Sequence, residues 1–235
     1  ETPNIPEWED FPLTEKLSRH FGIPAYLGND ANLAGLGEWR YGAGKSHNHL
    51  LYLTISTGVG GGVISEGHLL EGAHGLGGEL GHVTVLVDGP LCSCGHRGHL
   101  EALASGTAIA NYVREQLDDP TRESSLRSRS DRGAKSVAEA AREGDPLAVE
   151  AYQRAGKYLG IGIANFLHIF NPSIVILGGG VSYSGEILFA PMRESIQKNA
   201  FNKSYLEDLV ITAAALGDDA GLLGALALAV MKKTT

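Results

Sequence analysis

Four side chains between positions 82 and 99 have the types and spacing of a metal site: His82, Cys92, Cys94 and His99, in the pattern H-x9-C-x-C-x4-H. Two thiolates and two imidazoles suit a tetrahedral zinc ion, and Gly95 and Gly98 let the chain wrap closely around one. Four protein ligands leave no open coordination position, so a zinc held this way is structural and fixes the loop and its flanking side chains. His96 competes with His99 for the fourth place. Cys92 and Cys94 are the only cysteines, and with one residue between them they are poorly placed for a disulfide. A reducing compartment and a metal role follow. Glu79 and Glu101 each lie within three residues of one of these ligands, as solvated carboxylates or as groups aimed by the loop.

Three further groups could take part in chemistry. Asn29-Asp30 stands between an apolar stretch and a helix-forming one, where Asp serves either as a helix cap or as a base that accepts a hydroxyl proton. The run Thr57-Gly58-Val59-Gly60-Gly61-Gly62 reads as a turn between strands, not a P-loop, which needs a helix and a Lys after it. A hairpin needs two turn residues; four glycines leave backbone amides free to form an anion nest. A second cluster, Gly178-Gly179-Gly180, ends a buried apolar run. It serves either close strand–helix packing or a ligand at the carboxyl edge of a sheet.

The elements that must position these groups alternate between strand and helix. Helices are expected over 14–21, 31–41, 100–116, 136–142, 146–170, 187–200 and 220–230 from apolar periodicity and glycine stops. Strands are expected over 23–27, 49–56, 63–65, 82–87, 173–177 and 209–213. The opening TPNIPEWEDFP and the charged stretch 118–133 read as loops. The class is α/β.

Net charge is −8, and the one Arg-rich stretch, 122–132, is interleaved with acids, so nucleic-acid binding is not expected. The longest apolar run, LLGALALAV, is far short of the ~20 residues a membrane helix needs. No secretory signal is visible, which points to a cytoplasmic protein.

Six segments together resemble the ROK family (repressors, open reading frames and kinases), and within it the glucokinase-like members. They are GNDANLAGLGEW, LTISTGVGGGVI, GLGGELGHVTV, CSCGHRGHLEALASGTAI, NPSIVILGGGVS and GDDAGLLGALAL. The resemblance implies an actin-like, ribonuclease-H-like fold. Residues 1–30 would be a remnant of a small domain, 31–216 the large domain with its zinc loop, and 217–235 a helix returning to the small domain. It implies ATP-dependent phosphorylation of a hexose, glucose foremost, with Asp30 as general base.

By the same resemblance Asn29, Glu79, His82 and Glu101 would bind the other sugar hydroxyls, and His82 would also hold zinc. Thr57, Gly58, Gly60, Gly61 and Gly62 would face the phosphates of ATP, Gly178, Gly179 and Gly180 would lie near its adenosine, and Mg2+ would accompany it. A homodimer is implied. The alternative within the family is a sugar-responsive transcriptional repressor. Two departures stand out: His99 occupies the place of a third cysteine, and the family's N-terminal D-x-G-x-T phosphate loop is not in this sequence. Little kinase activity is therefore expected from the chain alone.

Overall fold

The computed structural model describes residues 11–233. At its centre is a five-stranded mixed sheet in the order β3-β2-β1-β4-β5. Its strands are β1 (Leu50–Ile55), β2 (Val59–Ser65), β3 (His68–Leu69), β4 (Ile174–Gly178) and β5 (Val210–Ala213). The first three run antiparallel, while β4 and β5 lie parallel to β1. Strands β1 and β4 are apolar on both faces, as a central pair covered on two sides must be.

The pleat sends alternate residues to two cores. Leu51, Leu53, Ile55, Val175 and Leu177 face the larger one. It is closed by α3 (Glu101–Ala104), α4 (Gly106–Leu117), α5 (Ala134–Arg142), α6 (Pro146–Phe170) and α7 (Glu186–Asn199). Leu50, Tyr52, Ile174 and Ile176 face the smaller one, under α2 (Asp30–Tyr41) and α8 (Ala220–Lys233). The longest helix, α6, starts where Asp145 accepts a hydrogen bond from Ala148 N–H with Pro146 in the first turn, and it stops at left-handed Asn171. Helix α1 (Leu13–Phe21) buries none of its residues.

Three expectations fail in detail. Residues 23–27 form no strand: no ladder runs beside them, and Ile23, Tyr26 and Leu27 are exposed. The expected helix 100–116 is two helices, because Ser105 turns extended (ψ 165°) and its hydroxyl accepts from Ala108 N–H to cap α4 anew. Segment 82–87 is a short 3-10 turn (Leu80–His82) and an irregular stretch, paired only through Thr84 and His99 as an isolated bridge. Its backbone is engaged by the metal-type loop instead, with Val85 N–H and Leu86 N–H donating to Gly98 O. The opening loop reading falls on residues 2–12, of which 2–10 lie outside the described residues.

Candidate functional site

The glycine turn is shorter than its sequence suggests. Only Ser56, Thr57 and Gly58 lie outside the ladder, closed by Ser56 N–H donating to Gly58 O at 2.9 Å. Gly60, Gly61 and Gly62 are strand residues of β2, paired with Thr54, Leu53 and Tyr52. The missing side chains of Gly60 and Gly62 let α2 lie flat on the sheet: a Cβ on Gly60 would stand 2.8 Å from that of Ala31, and one on Gly62 3.2 Å from Asn32 Cα, whereas one on Gly61 would meet Leu80 at 2.5 Å on the other face. The backbone amides available to an anion are thus those of the 56–58 turn rather than of the whole run.

Helix α2 starts at the carboxyl end of the crevice. Asn29 caps it, its Oδ1 accepting from Ala31 N–H (3.0 Å) and Asn32 N–H (3.1 Å), which leaves its amide NH2 free of the cap. Asp30, the first helical residue, is exposed. It lines a crevice of about 450 Å³ with Thr54, Ser56, Gly179, Gly180, Gly217 and Asp218, and its Oδ1 also accepts from Ala31 N–H at 2.8 Å. The crevice adjoins a cavity of about 680 Å³ between α4, α5 and the segment after β4, and Ser56, Gly180 and Tyr183 line both. Lys135, Arg114 and Arg142 give that cavity its cations. Gly178 ends β4 under the Tyr52 hydroxyl, and Gly179 takes a φ of 81° against Ile55 O, where a Cβ would sit 2.4 Å from that oxygen. Burial pushes the Tyr52 phenol up, so it remains a neutral hydroxyl beside the crevice.

On the other flank, His82, Cys92, Cys94 and His99 do converge, with one donor atom from each lying within 4.8 Å of the others. Cys92 Sγ is 3.9 Å from His82 Nδ1, and Cys94 Sγ is 3.2 Å from His99 Nδ1. A tetrahedron with zinc bonds of about 2.0–2.3 Å sets ligand atoms about 3.3–3.8 Å apart, so the donor set fits that ion, with the widest pair, within 4.8 Å, needing to draw in by about 1 Å. His99 is buried, whereas His96 is exposed and stacks on the His99 ring at 5.6 Å. His96 Nδ1 comes within 3.8 Å of Cys94 Sγ, yet His99, not His96, completes the cluster. The His96 backbone N–H lowers the Cys94 thiol to about 6, while burial raises that of Cys92. The first thiolate therefore forms at Cys94. Gly98, at φ 70°, passes so close to Leu86 O that no side chain fits there.

His82 has two faces. Its Nδ1 points to Cys92, and its Nε2 lies 3.9 Å from Glu79 Oε2, at the exposed edge of the loop. Glu101, half-buried at the start of α3, spans the loop and the turn. Its Oε2 accepts from Val59 N–H (3.1 Å) and its Oε1 from the Ser93 hydroxyl (3.0 Å).

Sequence reading missed Asn32 and Glu38 on α2, both buried, and the cations of the larger cavity. Asn32 had a visible signal, a second Asn three residues after the cap. Arg114, Lys135 and Arg142 had none, because only the packing of α4 against α5 brings them together.

The ROK family model matches residues 1–232. The glucokinase of Thermotoga maritima is 45% identical over 229 residues, which cover 95% of this chain and 71% of that protein. The crystal structure of a ROK family glucokinase from Streptomyces griseus, in complex with glucose and AMPPNP, superimposes with a TM-score of 0.80 at 38% identity, over 92% of this chain and 72% of that one. The xylose repressor of Bacillus subtilis is 34% identical, over 95% of this chain and 54% of its own length. The actin-like α/β architecture expected from the six motifs is therefore the fold observed. On its sequence and its fold alike, the chain belongs to the ROK family.

Proposed function

We propose that this chain carries the hexose site and most of the nucleotide site of an ATP-dependent hexose kinase, acting on glucose to give glucose 6-phosphate. One observation carries the reading: Asp30 lines a crevice that shares Ser56, Gly180 and Tyr183 with a nucleoside-sized cavity lined by three cations. The similarity to glucokinases of Thermotoga maritima and Streptomyces griseus supports it.

In this mechanism Asp30 accepts the proton of the sugar's primary hydroxyl as that oxygen attacks the γ-phosphorus of ATP. The bond from the γ-phosphorus to the bridging oxygen breaks, and ADP leaves. Asn29, Glu79, His82 and Glu101 bind the remaining hydroxyls, each adding a directional donor or acceptor. The 56–58 turn, with Thr57 and Gly58, faces the phosphates, while Gly60, Gly61 and Gly62, paired within β2, supply no amide to them, and Gly178, Gly179 and Gly180 flank the nucleoside. Mg2+ bound with ATP would offset charge on the transferred group.

His82, Cys92, Cys94 and His99 would hold a structural zinc, whose contribution is to fix the loop. With its Nδ1 turned to that cluster, His82 keeps Nε2 for the sugar side. We further propose a cytoplasmic homodimer, in which 1–30 and 217–235 belong to the small domain and 31–216 to the large one. The free thiols suit a reducing compartment.

The test follows ADP release with ATP and magnesium against a panel of hexoses, in the protein that contains this chain, beside Asp30→Asn. Turnover on glucose that falls by about 10²–10⁴ in the variant supports the base assignment. Sugar binding without turnover on any hexose would favour the second reading, a sugar-responsive repressor, which the similarity to the Bacillus subtilis xylose repressor keeps in view.

A further inference from the structure

Asn32 is 6% exposed, lies one helical position beyond Ala31 on the first turn of α2, and is the one buried side chain among the described residues with an oxygen that has no hydrogen-bond partner. Its Nδ2 donates to Gly77 O at 2.9 Å, across 45 residues of sequence. Its Oδ1 is enclosed by glycines: a Cβ on Gly78 would stand 2.6 Å from it and one on Gly62 3.3 Å. A leucine has nearly the same shape and would remove the unmet Oδ1, while also taking the donor away from Gly77 O. The amide thus sets one bond, to Gly77 O, against the cost of an unmet buried acceptor, and buried polar groups of this kind concentrate where geometry matters to function.

Its bond to Gly77 has a clear structural consequence. The 71–79 segment is exposed over most of its length and carries Glu79 at its end. It is closed by Gly77 N–H donating to Glu71 O, and its outer edge is met by an ion pair of Glu71 with Lys232 at 3.8 Å. Asn32 grips it two residues before Glu79, and itself sits two residues after Asp30 on the same helical turn.

We propose that Asn32 is a positioning residue that sets the distance between Asp30 and the sugar-binding Glu79 by holding the Gly77 carbonyl. This rests on the hexose-kinase reading of the site. The crevice walls on the nucleotide side, Gly179, Gly180 and Gly217, receive no contact from the Asn32 amide, so the effect of losing it is confined to the sugar.

The experiment compares the parent protein with Asn32→Leu and Asn32→Ser, measuring thermal melting, KM for hexose and for ATP, kcat, and hexose Kd by calorimetry without ATP. Leucine lacks the donor at similar volume, and serine is polar but too short to reach Gly77 O. The expected result is a folded Asn32→Leu that melts within a few degrees of the parent, since the lost bond to Gly77 O and the removed unmet acceptor offset each other. Hexose KM and Kd rise about tenfold in both variants, with ATP KM within about twofold of the parent. A hexose Kd unchanged in both variants overturns the proposal, as does an equal rise in both KM values. Loss of the fold in both also overturns it, since the amide would then be a stabilising element. If the parent turns over no hexose while Asn32→Leu still loses hexose affinity, the kinase reading falls and the positioning role stands.

Discussion

Glu38 offers the sharpest test of how α2 frames the site. The carboxylate is fully buried, and no cation pairs with it among the described residues. Both oxygens are spoken for by backbone: Oε1 accepts from Leu216 N–H and Oε2 from Ala43 N–H, each at 2.8 Å. The first bond joins α2 to the residue just before Gly217 and Asp218, which wall the Asp30 crevice. Glu38→Gln keeps the volume but turns an NH2 toward one of the two N–H groups.

One buried donor is then unsatisfied at about 1–3 kcal/mol, and the surviving bond loses its charge assistance. Relief of the buried charge offsets part of this. A net loss of about 2–3 kcal/mol is expected, or roughly 5–10 °C in Tm for a chain of this size. Urea unfolding followed by tryptophan fluorescence reads it, since Trp39 is the next residue. ATP KM should rise with it, hexose KM much less. A variant within about 0.5 kcal/mol of the parent would refute the account of Glu38 as a doubly bonded carboxylate.

The metal-type loop and the α6 cap carry two further predictions. Metal content by elemental analysis should be one zinc per chain and should be lost in Cys92→Ser, because a ligand set of three no longer closes the tetrahedron. Metal affinity should fall as pH drops from 8 to 5, because the raised Cys92 thiol must lose its proton to bind, and more steeply below about 6, where Cys94 takes up one as well; a titration with a colorimetric zinc chelator follows this. Asp145→Ala should cost about 1–2 kcal/mol in denaturant unfolding through loss of the α6 cap alone, and more because Ser124 and Ser125 also donate to that carboxylate. Burial acts to raise the Asp145 carboxyl, but hydrogen bonds from Ala148, Ser125 and Ser124 outweigh it and hold it below the usual range. Its contribution is thus fully present above the unfolded carboxyl range and is lost as pH falls through the folded value, so the parent should lose more stability in acid than Asp145→Ala does.

Much of this architecture was legible in the residues because local signals agreed with the tertiary outcome. Asp145-Pro146 opens a 25-residue helix and Asn171 ends it where the periodicity stops. The two cysteines and flanking histidines announced a cluster that the fold then assembled. Misreadings arose where a local pattern was satisfied by a distant partner. The glycines at 60–62 look like a turn, yet they are strand residues: Gly60 and Gly62 lack side chains where α2 lies across them, and Gly61 where Leu80 packs on the opposite face. The β-branched stretch at 82–87 has strand propensity, but strand formation needs a neighbour, and the chain beside it is the tight loop through Gly98. Asn32 and Glu38 sit inside a helix pattern that reads as ordinary amphipathic sequence, and their meaning lies in Gly77 and Leu216, 45 and 178 residues away.

Glu101 connects the two halves of the site, and Gly58 shows how tightly. One carboxylate oxygen takes the Val59 N–H that follows the 56–58 turn, and the other takes the Ser93 hydroxyl between the two cysteines, with Cys92 Sγ at 3.4 Å. A Cβ on Gly58 would stand 2.3 Å from Glu101 Oε2, closer than any real contact allows. Gly58→Ala must therefore push the carboxylate away, breaking its bond to Val59 N–H and disturbing the cysteine loop through Ser93. The backbone of Gly58 does not have a positive φ, so alanine itself is not strained there and the clash is the whole effect. A double-mutant cycle isolates it: Gly58→Ala should cost about 1–3 kcal/mol in the parent and under about 0.5 kcal/mol in Glu101→Ala, where nothing remains to collide with. Additive costs would mean that Glu101 does not occupy the space over Gly58, and the link between loop and turn would have to be sought elsewhere.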